Sequence, residues 1–322
     1  MSYRRCNTDW MRSSFGISVH WTAGSVRQNG SRLPFEAAVE RFDPERFADA
    51  LASIGAQHCI FTLTHAKEYL AMPNPVLESL LPGRTTRRDL IGELITALKK
   101  HEIRFIAYYN HSCNGNDDPE WRKACGYADG VHGDLDRFAK NICDIIAWIG
   151  KRYGSDLRAW WFDSSYSVDP HGPCNTVSCE MGDWRFPWDL LNRAAKSGNP
   201  DAAVAFNSGI GKRFLYAECQ DYYCGESSTP DQMFSPEALP GMQDHRWFCM
   251  DDPEWVFNQK RAETGFCEPR FSDSVLKHAI QRHLDEGIMV SLNVLIDQDG
   301  NLNPKALEQL KRIQQPERST IS

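Results

Sequence analysis

The chain has 322 residues, 41% hydrophobic and 25% charged, the composition of a folded globular protein with length enough for a large core. Its net charge of −7, with no concentrated basic surface, excludes a nucleic-acid partner as a reading, because binding to phosphate backbones needs such a surface. No run of about 18 apolar residues occurs and the N-terminal "MSYRRCNTDWMRSSFG" lacks the apolar core of a signal peptide, so no membrane span is expected.

A soluble, cytoplasmic protein is the expectation, or a secreted one if a leader has been removed. The 11 cysteines fit the first setting. They are scattered and odd in number, with no C-x-x-C pair, as for small core residues or free thiols in a reducing compartment. The most basic stretch, "GRTTRRD" at 83–89, opens a helix and reads as a solvated face.

In chain order, "FGISVHW" (15–21) reads as a buried strand. "DPERFADALASIG" (43–55) follows as a helix, with Asp43 as its cap, Pro44 in its first turn and Gly55 as its stop. "HCIFTLTH" (58–65) is a strand, "TRRDLIGELITALKKH" (86–101) a helix and "IRFIAYYNH" (103–111) a strand. The segment 134–154 is a long amphipathic helix with Phe138, Ile142, Ile145, Ile146 and Ile149 on one face, and "RAWWFD" (158–163) is the next strand.

A helix over 188–198 and a strand over 202–209 continue the rhythm. Residues 210–270 are less regular, with two short strands expected near 220–223 and 246–250 joined by long loops. A helix (273–287), a strand (288–294) and a helix (304–315) close the series. Continuous apolar strands alternating with helices imply a parallel sheet covered by helices. About eight such units without a G-x-G-x-x-G loop favour a single (β/α)₈ barrel, irregular around strands 5–7, with one domain over 1–322 and the barrel proper over about 10–315.

In such a barrel the chemistry sits at the C-terminal ends of the strands. Those ends carry His20 and Trp21, Thr64 and His65, Asn110 and His111, Asp163, Asn207, the stretch Asp221 to Glu226, Met250 to Asp252, and Asn293. "AWWFDSSY" (159–166) shows the pattern most sharply: an aromatic strand ends in one acid, Asp163. A carboxylate rimmed by aromatics and neutral hydrogen-bonding groups suits sugars, whose C–H faces stack on rings while amides and imidazoles read the hydroxyls. Cleaving a glycoside takes a second carboxyl as well.

Several stretches together resemble the α-L-fucosidase family of glycoside hydrolases. "FGISVHW" is similar to its F-G-x-F-I-H-W opening, "FTLTHAKEYLAMPN" (61–74) to L-T-A-K-H-H-D-G-F-x-L-W, and "RRDLIGELITALKKHEIRFIAYY" (87–109) to its R-D-[LV]-V-G-E-[LF] helix and next strand. "AWWFD" matches W-F-D-G, "DYYCGE" (221–226) G-D-Y-x-T-P-E, "FCMDDPEW" (248–255) E-x-C-M-x-x-x-x-x-W, and residues 288–313 L-L-L-N-[VI]-G-P-x-x-D-G-x-I-P. The matches keep their order over residues 10 to 313.

The resemblance implies a retaining exo-glycosidase built on the catalytic barrel alone, without the β-sandwich that usually follows it, acting on a terminal α-L-fucoside or similar sugar. It needs no cofactor. Asp163 would be the nucleophile and Glu226 the acid/base, with Glu218 the main rival, then Glu68 and Asp252. His20, Trp21, His65, Tyr108, Asn110, Trp161 and Trp255 would bind the sugar. A retaining pair should stand about 5–5.5 Å apart, with the donor's pKa raised by its surroundings.

The chain departs from the family pattern at three places. Ala66 stands for the second His of the H-H pair and is followed by Lys67-Glu68-Tyr69; Ser164 replaces the Gly after W-F-D; and Asn293-Val294-Leu295-Ile296 replaces N-x-G-P. The competing readings are a glycosidase of the same superfamily with another sugar, a carbohydrate-binding pseudoenzyme, and a metal-dependent barrel hydrolase using His20, His65, His111 and Asp163. The last is disfavoured because the first strand lacks an H-x-H pair.

Overall fold

The first strand, β1 (Phe15–Val19), is followed by α1 (Phe35–Arg41), α2 (Pro44–Ala52), β2 (His58–Thr64), α3 (Pro75–Leu80), α4 (Leu90–Lys100) and β3 (Arg104–Asn110). Then come α5 (Pro119–Cys125), α6 (Leu135–Tyr153), β4 (Leu157–Asp163), α7 (Trp188–Ala195), β5 (Ala203–Phe206) and β6 (His245–Cys249). The series closes with α8 (Gln259–Thr264), α9 (Asp273–Asp285), β7 (Met289–Asn293) and α10 (Pro304–Gln314). These elements are those of a computed structural model that describes residues 6–113, 118–128, 133–168, 184–237, 239–251 and 254–314.

The fold is α/β, with one curled sheet of seven parallel strands in the order β5-β4-β3-β2-β1-β7-β6. Every neighbour is the next strand in the chain except where β7 meets β1. There is no reversal of strand order, and hence no crevice of the doubly wound kind.

Side chains alternate across the strands. One set (Ile60, Ile106, Tyr108, Ala159, Trp161, Ala203, Ala205, Trp247 and Met289) fills the concave side, together with Tyr222 and Cys224. The alternate set, among it Val19, Phe61, Phe105, Tyr109, Trp160, Phe162, Phe206 and Leu292, packs against the helices. Polar groups sit deep in the concave side as well: His58 bonds Ser14 at 2.8 Å and Ser291 at 2.7 Å, and His245 bonds the same Ser291 at 2.8 Å. Gly16 makes room for the His58 ring, which a Cβ there would meet at 2.4 Å.

The strand expected near 220–223 is not one. Residues 221–227 form an extended, broken segment between the two edge strands, with bridges only at Tyr222–Gln243 and Glu226–Trp247. The Asp221 amide donates to Val204 O of β5 at 2.8 Å, while Trp247 of β6 donates to Gly225 O at 2.9 Å and the Ser227 amide to Trp247 O at 2.8 Å. Two features break the ladder. The Asp221 carboxylate takes the Val204 N–H that a strand would have used. Gly225 adopts φ 69°, where a Cβ would lie 1.9 Å from His245 O, so a left-handed glycine interrupts the run at its closest approach.

Helix boundaries follow cap chemistry. Asp43 accepts from the Glu45 and Arg46 amides and Pro44 opens α2, as the sequence reads, although the helix ends at Ala52, ahead of Gly55. Helices α1, α3, α5 and α8 lie in stretches where the sequence reading places none.

Candidate active site

Asp163 ends β4 on the concave side, two residues beyond Trp161, and is half-buried. The Tyr108 hydroxyl donates to its Oδ2 at 2.5 Å and Asn110 Nδ2 to the same oxygen at 3.0 Å. Asn207 Nδ2 donates to Oδ1 at 2.8 Å. Three neutral donors from the ends of β3 and β5 therefore hold one carboxylate. The next residue, Ser164, is left-handed at φ 62°, and its hydroxyl accepts from Asn110 at 2.9 Å.

Glu226 comes from the broken segment across the sheet's open side. Asn207 Nδ2 also donates to Glu226 Oε2, at 2.7 Å. Two contacts to one nitrogen limit the separation of those carboxylate oxygens to at most about 5.5 Å, which excludes the wider spacing of an inverting pair. Burial, and then the facing Asp163, push the Glu226 carboxyl up to about 7.

His20 lies beside the pair. It is buried, stacked on Trp247 at 5.6 Å, and close to Tyr108 (5.0 Å), His65 (5.3 Å) and Trp255 (5.4 Å). Its Nδ1 meets Asn293 Oδ1 at 2.9 Å. That oxygen also accepts from Ser18, and Asn293 Nδ2 donates to Trp255 O. The amide is therefore oriented and His20 Nδ1 must be the donor, which leaves Nε2 as an acceptor. Burial, aided by His65, lowers the His20 pKa to about 3, so the ring is neutral.

The other residues singled out in the sequence divide clearly. His65 and Trp255 are half-buried beside His20 and keep accessible surface. Tyr108 and Trp161 are buried beneath the acids. Tyr108 spends its hydroxyl on Asp163, and Trp161 stacks on Tyr108 at 5.2 Å and donates its N–H to Cys224 O. They support the site from below rather than offer it a surface.

Trp21 is a correction. It lies on the convex side among Phe35, Phe42 and Phe61, with its indole N–H on Gln298 O, because adjacent strand positions face opposite ways and His20 takes the inner one. Glu218 is a second correction. It is exposed in a turn just before Asp221, which pairs near the start of β5, so it lies at the opposite end of the sheet from Asp163.

Glu68 is also elsewhere. It is buried on the convex side, accepting from the Tyr109 hydroxyl, with burial raising its pKa to about 8. Asp252 lies outside the described residues. Among the described residues no group of three or more His, Cys, Asp or Glu is arranged to hold an ion. His111 bonds Ser164 O and Ser167 and packs against Phe138 on the convex side.

Asn207, Asn293 and Trp247 form part of the site without having been given a role. The first two were visible as strand ends, and Trp247 shares the inner parity of β6 with His245. What they bond to appears only once the sheet curls.

A carboxyl pair at the C-terminal rim of a curled parallel sheet, with an aromatic bed and neutral hydrogen-bonding side chains, is the layout of barrel enzymes that act on sugars. The chain belongs to the α-L-fucosidase family, whose model matches residues 32–315. Tissue α-L-fucosidase of Homo sapiens is 36% identical over 279 residues, covering 84% of this chain and 52% of the relative. That of Bos taurus is 24% identical over 338 residues, covering 92% and 64%. The chain thus spans between about half and two thirds of the length of these curated relatives.

Among solved structures, endo-fucoidan hydrolase MfFcnA4 of glycoside hydrolase family 107 superposes with a TM-score of 0.69 at 18% identity, over 95% of this chain and 52% of that one. α-L-Fucosidase AlfC from Lactobacillus casei, in complex with α-L-fucose product, gives a TM-score of 0.63 at 18% identity, over 96% and 97%. At these identities the two share the fold.

Proposed function

We propose that the chain is a retaining, exo-acting glycoside hydrolase for terminal α-L-fucosides or a closely similar sugar. Residues 221–227 serve as the eighth stave of a single-domain (β/α)₈ barrel. The observation that carries the reading is the shared Asn207 contact, which keeps one oxygen of Asp163 and one of Glu226 no more than about 5.5 Å apart and so supports their reading as a nucleophile and its acid/base.

In this mechanism the Asp163 carboxylate attacks the anomeric carbon. The Oδ1 oxygen, with one donor against two on Oδ2, keeps the freer lone pairs. Glu226, with its pKa raised to about 7, brings the proton that the departing glycosidic oxygen needs. Once Asp163 is glycosylated its charge is gone, and the pressure that kept Glu226 protonated relaxes. Glu226 then serves as the base that activates water on the glycosyl ester. Neutral His20 accepts a hydrogen bond from a sugar hydroxyl through Nε2, and Trp255 and His65 flank the ring.

Family membership supports fucose as the sugar. A second reading, a related sugar, is favoured by Ala66. It stands where the family has its second sugar-binding His, and it is left-handed at φ 59°, with no polar side chain to offer. A cytoplasmic setting, consistent with the free thiols, belongs to the same proposal.

A panel of nitrophenyl glycosides, with product stereochemistry followed by NMR, tests the reading. Turnover of the α-L-fucoside with retained α-configuration is expected. Preference for another sugar selects the second reading, an inverted product removes the mechanism, and no turnover with tight fucose binding points to a pseudoenzyme.

A further inference from the structure

We infer that Asn207 is a positioning residue that fixes, through one amide, both the distance between the two acids and the oxygen of Glu226 that carries the transferable proton. The inference rests on the proposed roles of Asp163 and Glu226 and adds a third residue to them.

An asparagine amide nitrogen has two hydrogens. Here one goes to Asp163 Oδ1 at 2.8 Å and the other to Glu226 Oε2 at 2.7 Å. The amide cannot be turned over, because its Oδ1 accepts the Gly209 N–H at 3.0 Å. The flipped rotamer would set NH₂ against that N–H and an oxygen between two carboxyls. The backbone is equally fixed: the Asn207 N–H donates to Phe162 O at 2.8 Å, and the residue is buried. Asn207 is thus a rigid bracket hung from the β4–β5 pairing.

The bracket has a consequence for the proton. A neutral carboxyl has one hydroxyl and one carbonyl oxygen, and the oxygen that accepts an N–H is the carbonyl. With Oε2 occupied by Asn207, the proton of Glu226 rides on Oε1. The donor is therefore aimed before substrate arrives, and no rotamer search precedes transfer.

The same N–H favours the ionised form of Glu226, so removing it raises the pKa of that group further. The other titratable groups facing Glu226 are Asp163 on β4, Cys224 on the same segment and Cys249 at the end of β6. None of them replaces the lost donor.

The test compares wild type with Asn207→Ala and Asn207→Ser. The serine keeps an acceptor for Gly209 but only one hydrogen for the two acids. Two shifts are expected in Asn207→Ala. The basic limb of kcat/KM moves to higher pH, and the loss is about tenfold or more greater for a fucoside with an alkyl or sugar leaving group than for the 4-nitrophenyl fucoside. Asn207→Ser should fall between. An equal loss for all leaving groups with an unmoved basic limb would make Asn207 merely structural and overturn the inference.

A wild type inactive on every glycoside would instead remove the proposed function. In that case ¹³C NMR titration of labelled glutamate, with Glu226→Gln for assignment, still judges the inference. A higher Glu226 midpoint in Asn207→Ala supports it and an unchanged midpoint overturns it.

Discussion

Asp163 accepts three hydrogen bonds and Glu226 accepts one, from an amide that also serves Asp163, an inequality in keeping with the proposed roles of nucleophile and proton donor. Each bond to a carboxylate contributes roughly 1.5–3 kcal/mol, so Asp163 is held in one orientation, while burial and then Asp163 raise the Glu226 pKa to about 7. Backbone strain sits beside them: a non-glycine in the left-handed region costs on the order of 1 kcal/mol, and Ser164 occupies it where the family has Gly. The Asn110 contact to its hydroxyl offsets part of that cost. Asp163→Asn should lower turnover of an aryl fucoside by at least about a thousandfold while the protein stays folded by circular dichroism. Glu226→Ala should lose about 10²- to 10⁴-fold on poor leaving groups, far less on good ones, and recover in azide. Equal losses on both would remove Glu226 as the proton donor. For the wild type, the basic limb of kcat/KM should lie near pH 7, because activity is lost as Glu226 deprotonates.

At the scale of elements, alternation explains what the sequence showed and what it hid. The apolar run 159–162 with an acid at its end was legible as a strand delivering Asp163, since Trp161 and Asp163 share one face. The same parity assigns His20 and Trp21 to opposite faces, and the H-W motif by itself conceals this. Helices α3 and α5 begin at Asn74-Pro75 and Asp118-Pro119, the cap-and-proline signal that Asp43-Pro44 gives at α2. The segment 221–227 was not legible as a broken strand. Its irregularity comes from a side chain replacing a backbone bond and from a glycine forced close to β6, both of which depend on distant chain. Gly225→Ala should therefore be among the most damaging single changes outside the acids. A Cβ meets backbone at 1.9 Å in a left-handed residue, and a loss of more than about 3 kcal/mol in denaturant unfolding is expected. Asp43→Ala, which removes only a cap, should cost about 1 kcal/mol.

For the whole molecule, burial of titratable groups sets the pH of greatest stability. His20 and His245 are lowered to about 3, His111 to about 4 and His58 well below 6.5, each chiefly by burial. Each stays neutral in the fold while the unfolded chain binds a proton below pH 6.5, so stability falls as pH drops through that value. Glu68 and Glu226, raised to about 8 and about 7, act in the opposite direction. Between pH 4.5 and those values the fold holds protons that the unfolded chain has lost, and stability falls as pH rises toward 8. Between pH 4.5 and 6.5 these histidines, joined by His283, whose pKa burial also lowers, outweigh the two glutamates and stability rises with pH; above pH 6.5 the glutamates progressively take over. The melting temperature should peak near pH 6.5 and decline on both sides. A midpoint still climbing from pH 6.5 to 8 would contradict this balance.

The claim on which the account depends is that Asp163 forms a covalent bond to the sugar opposite Glu226. Incubation with a 2-deoxy-2-fluoro-α-L-fucosyl fluoride, followed by intact-mass and peptide mass spectrometry, tests it most directly. The account predicts one fluorofucosyl adduct per chain on the peptide carrying Asp163, and none in Asp163→Asn. An adduct on another carboxylate, or no adduct from a preparation that turns over aryl fucosides, would contradict it.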